Sequence, residues 1–190
     1  MIITPELLGY FPGVFSVDDG EVLFAKLTGN IAWRQESIII FGRSVLTPRL
    51  TAWYGDAGAV YKYSGVSFDP LPWTDELLYI RAKTEELAGT TFNSVLINLY
   101  RDGSDSMGWH SDDEPELGRN PIIASVNLGE ARRFDLRLKK DHHVKQQILL
   151  EGGSVLVMKG DLQHHWQHQI AKSAKIKNPR INLTFRTIKP

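Results

Sequence analysis

The sequence predicts an α+β fold with a mainly β core, in which helices pack on a β-sandwich or barrel. Three observations carry this reading. Two segments with helix-start signals lie before Gly89, and beyond Thr91 short stretches rich in branched residues are punctuated by Gly, Asn and Pro. No internal repeat, low-complexity tract or linker divides the chain. With 190 residues and 42% hydrophobic content, it has the apolar surface for one sizeable core.

The elements follow in order. "SVDDGEVLFAKLTG" opens with Ser16 as N-cap, places Asp18 and Asp19 in the first turn and ends at Gly29, which predicts a helix. "SIIIFG", from Ser37, reads as a strand. "TDELLYIRAKTEELAG" repeats the helix grammar from Thr74 to Gly89, with Leu77, Leu78, Leu87 and the small Ala82 available to pack inward. The strands then crowd together: "NSVLINLY", "IIASVNLG", "RRFDLRLK", "QQILLEGGSVLVM" and "RINLTFRTI".

Composition narrows the chemistry. The chain has no cysteine, so a disulfide framework and a thiolate metal site are both excluded. Its amino terminus lacks a basic n-region and is broken by Pro5 and Pro12, and no apolar run approaches the ~20 residues that span a bilayer. The expectation is a soluble monomer without membrane attachment, cytoplasmic or, in a eukaryote, nuclear. Basic and acidic residues balance at 22 each, yet from Ala131 onward there are 13 Lys and Arg against 4 Asp and Glu. A basic carboxy-terminal third attracts a polyanion such as nucleic acid, or else forms solvated strand faces and loops.

The densest chemistry follows "NSVLINLY". In "WHSDDEPE", His110 and Asp112 are one residue apart, and on an extended segment positions i and i+2 face the same side. A third ligand would complete a facial triad of two histidines and one carboxylate, the arrangement that holds ferrous iron with coordination positions open. "QHHWQH" offers His164, His165 and His168. His164 and His168 have the i, i+4 spacing of a helical zinc pair, but the glutamate of HExxH is missing. In "PRINLTFR", even spacing puts Arg180, Asn182, Thr184 and Arg186 on one strand face. If that face points inward, two buried guanidinium groups call for anions, and a dicarboxylate would supply them. If it points outward, Ile181, Leu183 and Phe185 fill the core instead. Asn98 and Tyr100, again two apart, offer neutral hydrogen bonds.

"NSVLINLYRDGSDSMGWHSDDEPELGRNPIIASVNLG", the later "WQH" and "PRINLTFR", together with "PRLTAWYGDAG" and "YKYSG", resemble the AlkB family of iron(II)- and 2-oxoglutarate-dependent nucleic-acid dealkylases, closest to its DNA-repair branch. The resemblance implies a double-stranded β-helix, or jelly roll, with buttressing helices. It implies an oxygenase domain over residues 36–190 with a nucleotide-recognition lid at about 36–70, preceded by a helical extension over 1–35 that packs on the core. By the same resemblance, His110, Asp112 and His168 ligate iron, leaving His164 and His165 as bystanders. Asn98, Tyr100, Arg180, Thr184 and Arg186 match the family's 2-oxoglutarate contacts, and Asn182 joins them by its even spacing on the same strand face.

The implied reaction uses Fe(II), 2-oxoglutarate and O2 to demethylate 1-methyladenine and 3-methylcytosine in DNA, with RNA as a further substrate, and releases formaldehyde and succinate. Tyr61 and Tyr63 fall in the lid, with Tyr63 placed to stack on an extruded base. Asp113 and Glu114 follow the ligand and would face the base edge, where a carboxylate accepts from an exocyclic amine. Asp105 and Glu116 read as solvated loop acids. In "IIIFGRS", Phe41 sits where the duplex-repairing branch carries an aromatic wedge, although a strand-ending core residue is the plainer reading. Hydroxylation of RNA, protein or a small molecule on the same fold is the rival function, and a catalytically silent nucleic-acid-binding module is a third.

Overall fold

The computed structural model describes residues 3–40, 42–63 and 66–189. Strand β1 (Leu8–Phe11) precedes helix α1 (Val17–Asn30), and two hairpin strands follow, β2 (Ser37–Ile40) and β3 (Arg43–Leu46). Next come β4 (Leu50–Gly55), a second small hairpin of β5 (Tyr61–Tyr63) and β6 (Val66–Phe68), and helix α2 (Asp75–Ala88). The remainder is β7 (Ser94–Tyr100), β8 (Met107–His110), β9 (Ile123–Gly129), β10 (Arg132–Leu138), β11 (Asp141–Leu150), β12 (Val155–Met158), the single-turn α3 (Leu162–His165), β13 (Trp166–Ile170) and β14 (Arg180–Arg186).

Both long helices start as their sequences dictate. Ser16 accepts a hydrogen bond from the Asp19 amide at 3.1 Å, and Thr74 accepts from Leu77 at 3.4 Å, so each satisfies a donor that the helix itself leaves open. Gly89 closes α2 in the left-handed region at φ 66°, which costs glycine little. The buried stripe of α2 is Leu77, Ile80 and Thr84, whereas Leu78 and Leu87 are exposed, as is Ala82. Of the inward residues expected from sequence only Leu77 packs. Leu78 lies about 100° around the helix from it, off the face that meets the sheet.

Two antiparallel sheets face one another. The larger has the order β1-β12-β9-β14-β7-β4, and the smaller β11-β10-β13-β8. One core lies between the helices and the outer face of the larger sheet, with Phe15, Leu23, Leu27, Leu77 and Ile80 against Val95, Ile97, Val126, Leu183 and Phe185. A second lies between the sheets, around Phe134, Leu136, Leu156, Met158 and Trp166. This is the expected double-stranded β-helix with helices against one sheet. The first 35 residues are more than a helical extension, because β1 pairs with β12 from Leu8↔Met158 to Phe11↔Val155 and completes the larger sheet. The stretch from Gln146 to Met158, which reads as one strand, is broken between β11 and β12 at Gly152 and Gly153. Gly153 has φ 79°, and a Cβ there would meet the Phe15 carbonyl oxygen.

Strand β14 sits between β7 and β9 and pairs with both. All seven of its residues are buried. Ile181, Leu183 and Phe185 enter the helix-side core, while Arg180, Asn182, Thr184 and Arg186 enter the space between the sheets. The polar face is therefore the inward one of the two readings left open by the sequence, and the apolar residues fill a core without sending either arginine to solvent.

Candidate metal and cosubstrate site

His110 ends β8 directly opposite His168 on β13, and their ring centroids are 4.2 Å apart. Asp112 lies just beyond the strand, yet its carboxylate returns to the same point, with Oδ1 3.9 Å from His110 Nε2 and Oδ2 3.7 Å from His168 Nε2. One donor atom from each of the three residues falls within 4.8 Å of the others. Two imidazole nitrogens and one carboxylate oxygen on one side of a point suit a ferrous ion with its remaining positions open.

The electrostatics keep these donors in the forms a metal needs. Burial alone would raise the Asp112 pKa, but the charge of Arg186, then His168 and His110, holds it at about 2, and Arg186 Nη2 donates to Oδ1 at 2.6 Å. Burial, with the neighbouring His110, pushes His168 down to about 3. The carboxylate stays ionised and the imidazole neutral. Arg186 thus meets the ligand carboxylate itself, a pairing the sequence reading did not assign. His164 and His165 turn elsewhere. His164 Nε2 lies 2.9 Å from Asn120 Oδ1 and His165 Nε2 3.4 Å from Asp161, and their short helix ends before His168, so no i, i+4 pair forms.

An inner chamber opens beside the triad and is lined by all six residues predicted for the cosubstrate side: Asn98, Tyr100, Arg180, Asn182, Thr184 and Arg186. Arg180 is fully buried. Its Nη2 donates to Asn127 Oδ1 at 2.5 Å and its guanidinium lies 5.1 Å from the Tyr100 ring centre, whereas Nε and Nη1 have no hydrogen-bond partner among the described residues. Burial lowers its pKa to about 10, which still leaves it a cation. A buried cation with two unengaged nitrogens fits an anionic ligand, and a carboxylate matches the fork. The Asn182 amide is held by Ser125 Oγ at 2.8 Å, and Thr184 Oγ1 donates to Asn182 Oδ1 at 3.2 Å, so these two shape the wall.

An outer chamber meets the inner one at His110, Asp112 and Arg186. Glu114 lines it, together with Arg34, Glu36, Trp53 and Asp69. Asp113 does not. It is half exposed and accepts from Lys139 Nζ at 3.0 Å, so of the two acids only Glu114 lines this chamber. Tyr61 and Tyr63 lie on β5, opposite Phe68 and Val66, but their side chains lie outside what the structure describes, and Phe41 lies outside the described residues altogether. Asp105, read as solvated, is buried and accepts from the amide, Nε and Nη2 of Arg101.

Arg49 escaped the sequence reading. It is buried on the outer-chamber wall and donates from Nε to Asn98 Oδ1 at 2.8 Å, bridging the two chambers. Its signal was the even spacing of Arg49, Thr51 and Trp53, the same pattern that marks β14.

Comparisons with known proteins agree with this geometry. A sequence model of the 2OG-Fe(II) oxygenase superfamily matches residues 8–186. Alpha-ketoglutarate-dependent dioxygenase alkB homolog 3 of Bos taurus is 41% identical over 188 residues, covering 94% of this chain and 65% of that protein. The Homo sapiens protein named DNA oxidative demethylase ALKBH2 is 42% identical over 186 residues, covering 92% of this chain and 71% of its own length. This chain therefore spans about two thirds of the length of such relatives. The solved structure of OsALKBH1 superimposes on 98% of the chain with a TM-score of 0.68 at 15% identity, which speaks for the fold alone. By sequence match, fold and the clustering of two histidines with an aspartate, the chain belongs to the AlkB family of 2OG-Fe(II) oxygenases.

Proposed function

We propose that the chain demethylates N-alkylated bases in DNA, 1-methyladenine and 3-methylcytosine among them, consuming 2-oxoglutarate and O2 at an Fe(II) centre and releasing succinate, carbon dioxide and formaldehyde. The observation that carries the reading is the meeting of two chambers at His110, Asp112 and Arg186, one walled by a buried guanidinium and the other opening onto mixed charges. The relatives named as DNA oxidative demethylases, at about 40% identity, support DNA as the substrate.

In this reading His110, Asp112 and His168 hold the iron, which when bound activates O2 for hydroxylation of the methyl group. Arg180 takes the far carboxylate of 2-oxoglutarate with the N–H groups it has to spare. Arg186 keeps Asp112 ionised and aimed, and Asn98, steadied by Arg49, borders the passage between the chambers. A base stacked in a duplex cannot enter the outer chamber, so it is extruded or arrives on a single strand. Glu114 is the acid placed to accept from its exocyclic amine and to favour a cationic lesion. The hydroxymethyl group then leaves as formaldehyde, restoring the base.

The test is succinate and formaldehyde release by the purified chain, with and without an oligonucleotide carrying 1-methyladenine. Formaldehyde should appear only with the methylated strand and in step with succinate. His110→Ala, Asp112→Ala and His168→Ala should each abolish it, while His164→Ala and His165→Ala keep most of it. Succinate formed without regard to the methylated strand would move the substrate to RNA, protein or a small molecule. Loss in His165→Ala with none in His168→Ala would overturn the ligand set.

A further inference from the structure

The ladder between β8 and β13 runs out at His110↔His168, so regular strand pairing does not fix the main chain of Asp112. Side chains continue the stitching in its place. Ser111 Oγ donates to the Trp166 carbonyl at 2.9 Å, and the buried Asp112 amide donates to Gln163 Oε1 at 3.0 Å. Lys139 Nζ then spans from Asp113 Oδ2, at 3.0 Å, to the Gln163 carbonyl, at 2.8 Å. Gln163 is 2% exposed, and its Nε2 contacts Met158 Sδ at 3.5 Å, a side chain that lines the inner chamber. It also stands five residues before His168, on the short helix that runs straight into β13.

We propose that Gln163 is a positioning residue for the metal site, clamping the main chain of Asp112 from behind while Arg186 holds the carboxylate in front. The two attachments act on different atoms. Arg186 fixes one carboxylate oxygen, and Gln163 fixes the backbone from which the carboxylate swings. With either alone, the side chain keeps a rotation that carries its ligand oxygen away from the two imidazoles. An amide oxygen suits the task because it accepts the Asp112 N–H. A glutamate of the same length keeps the acceptor. A leucine of similar bulk removes it and leaves the buried amide unsatisfied. The inference rests on the reading of His110, Asp112 and His168 as metal ligands.

The experiment is titration of the EDTA-stripped full chain with Mn(II), followed by calorimetry, beside the melting temperature of the metal-free protein. Gln163→Leu should weaken Mn(II) binding tenfold or more, and Gln163→Glu should stay within about threefold of the parent. Thr84→Val, which removes a buried hydroxyl bonded to Ile80 inside α2, should lower the melting temperature without changing Mn(II) affinity. Parent-like Mn(II) affinity in Gln163→Leu overturns the clamp. So does equal weakening in the Leu and Glu variants, which would make the residue a packing element of α3. Should Gln163→Leu not fold, Gln163→Met takes its place, and failure of both to fold likewise makes the residue structural and ends the proposal. Absence of Mn(II) binding by the parent chain takes down the ligand reading as well, so the two failures are distinguishable.

Discussion

Arg180 carries a positive charge with almost no access to water, being 2% exposed. Such a group is tolerated where its hydrogen bonds are completed, and two of its nitrogens have no partner among the described residues. Hydrogen bonds to charged groups are worth ~1.5–3 kcal/mol, so Arg180→Ala should weaken 2-oxoglutarate binding at least tenfold. Arg180→Lys keeps the charge and loses the fork, and should fall between the two. Calorimetric titration of 2-oxoglutarate in the presence of Mn(II) reads both, and unchanged affinity in the alanine variant would sink the assignment. At this scale the sequence was legible wherever a residue belonged to a regular strand. Asn98, Tyr100 and the four polar residues of β14 were found because period-two spacing states which side they share. Asp113 and Glu114 are adjacent in a loop, where no periodicity says which of them turns to the chamber and which to Lys139. Gln163 was invisible for a related reason, since a partner 51 residues away defines its role.

Among the elements, the hairpin of β2 and β3 stands apart from both large sheets. It pairs from Ser37↔Leu46 to Ile40↔Arg43, turns through Gly42 at φ 76° and leaves all four residues of β3 exposed. The expectation that Phe41 enters a duplex falls here by sequence, while Phe41 itself lies outside the described residues. Unstacking costs a few kcal/mol and arises only when the target base lies in a helix. Phe41→Ala should therefore slow repair of 1-methyladenine in duplex DNA tenfold or more and barely affect the same lesion on a single strand. Equal losses on both, with a lower melting temperature, would return Phe41 to a packing role, since truncating a buried Phe costs ~3–5 kcal/mol. Strands β7, β9, β10 and β14 were legible as branched runs with clear breaks. Strands β8 and β13 were not. Each is short, and their His, Gln and Trp residues advertise chemistry more loudly than extended structure. Strand β1 hides behind Pro5 and Pro12, and only its pairing with β12, nearly 150 residues later, makes it a strand.

For the whole molecule, ligand and fold are linked because the triad and the inner chamber draw on β7, β8, β13, β14 and the segment after β8. A ligand present at 100 times its dissociation constant, and binding only the folded chain, stabilises it by ~2.7 kcal/mol. At ~2–4 °C per kcal/mol for a chain of this size, saturating Mn(II) should raise the melting temperature by roughly 5–11 °C. EDTA should reverse the rise and Asp112→Ala should lack it, and a parent chain whose melting is indifferent to metal would contradict this linkage. Strand β14 has one more consequence, for folding. Neighbouring strands pair in alternation, so a slip by a single residue exchanges the two faces of a strand. For β14 a slip would drive Arg180 and Arg186 among the helices and turn Ile181, Leu183 and Phe185 toward the chamber. Neither side accepts the other's residues, so a misaligned β14 meets a penalty on both faces at once. The residues proposed to meet a dicarboxylate thus also penalise, before any ligand arrives, a central strand laid down out of place.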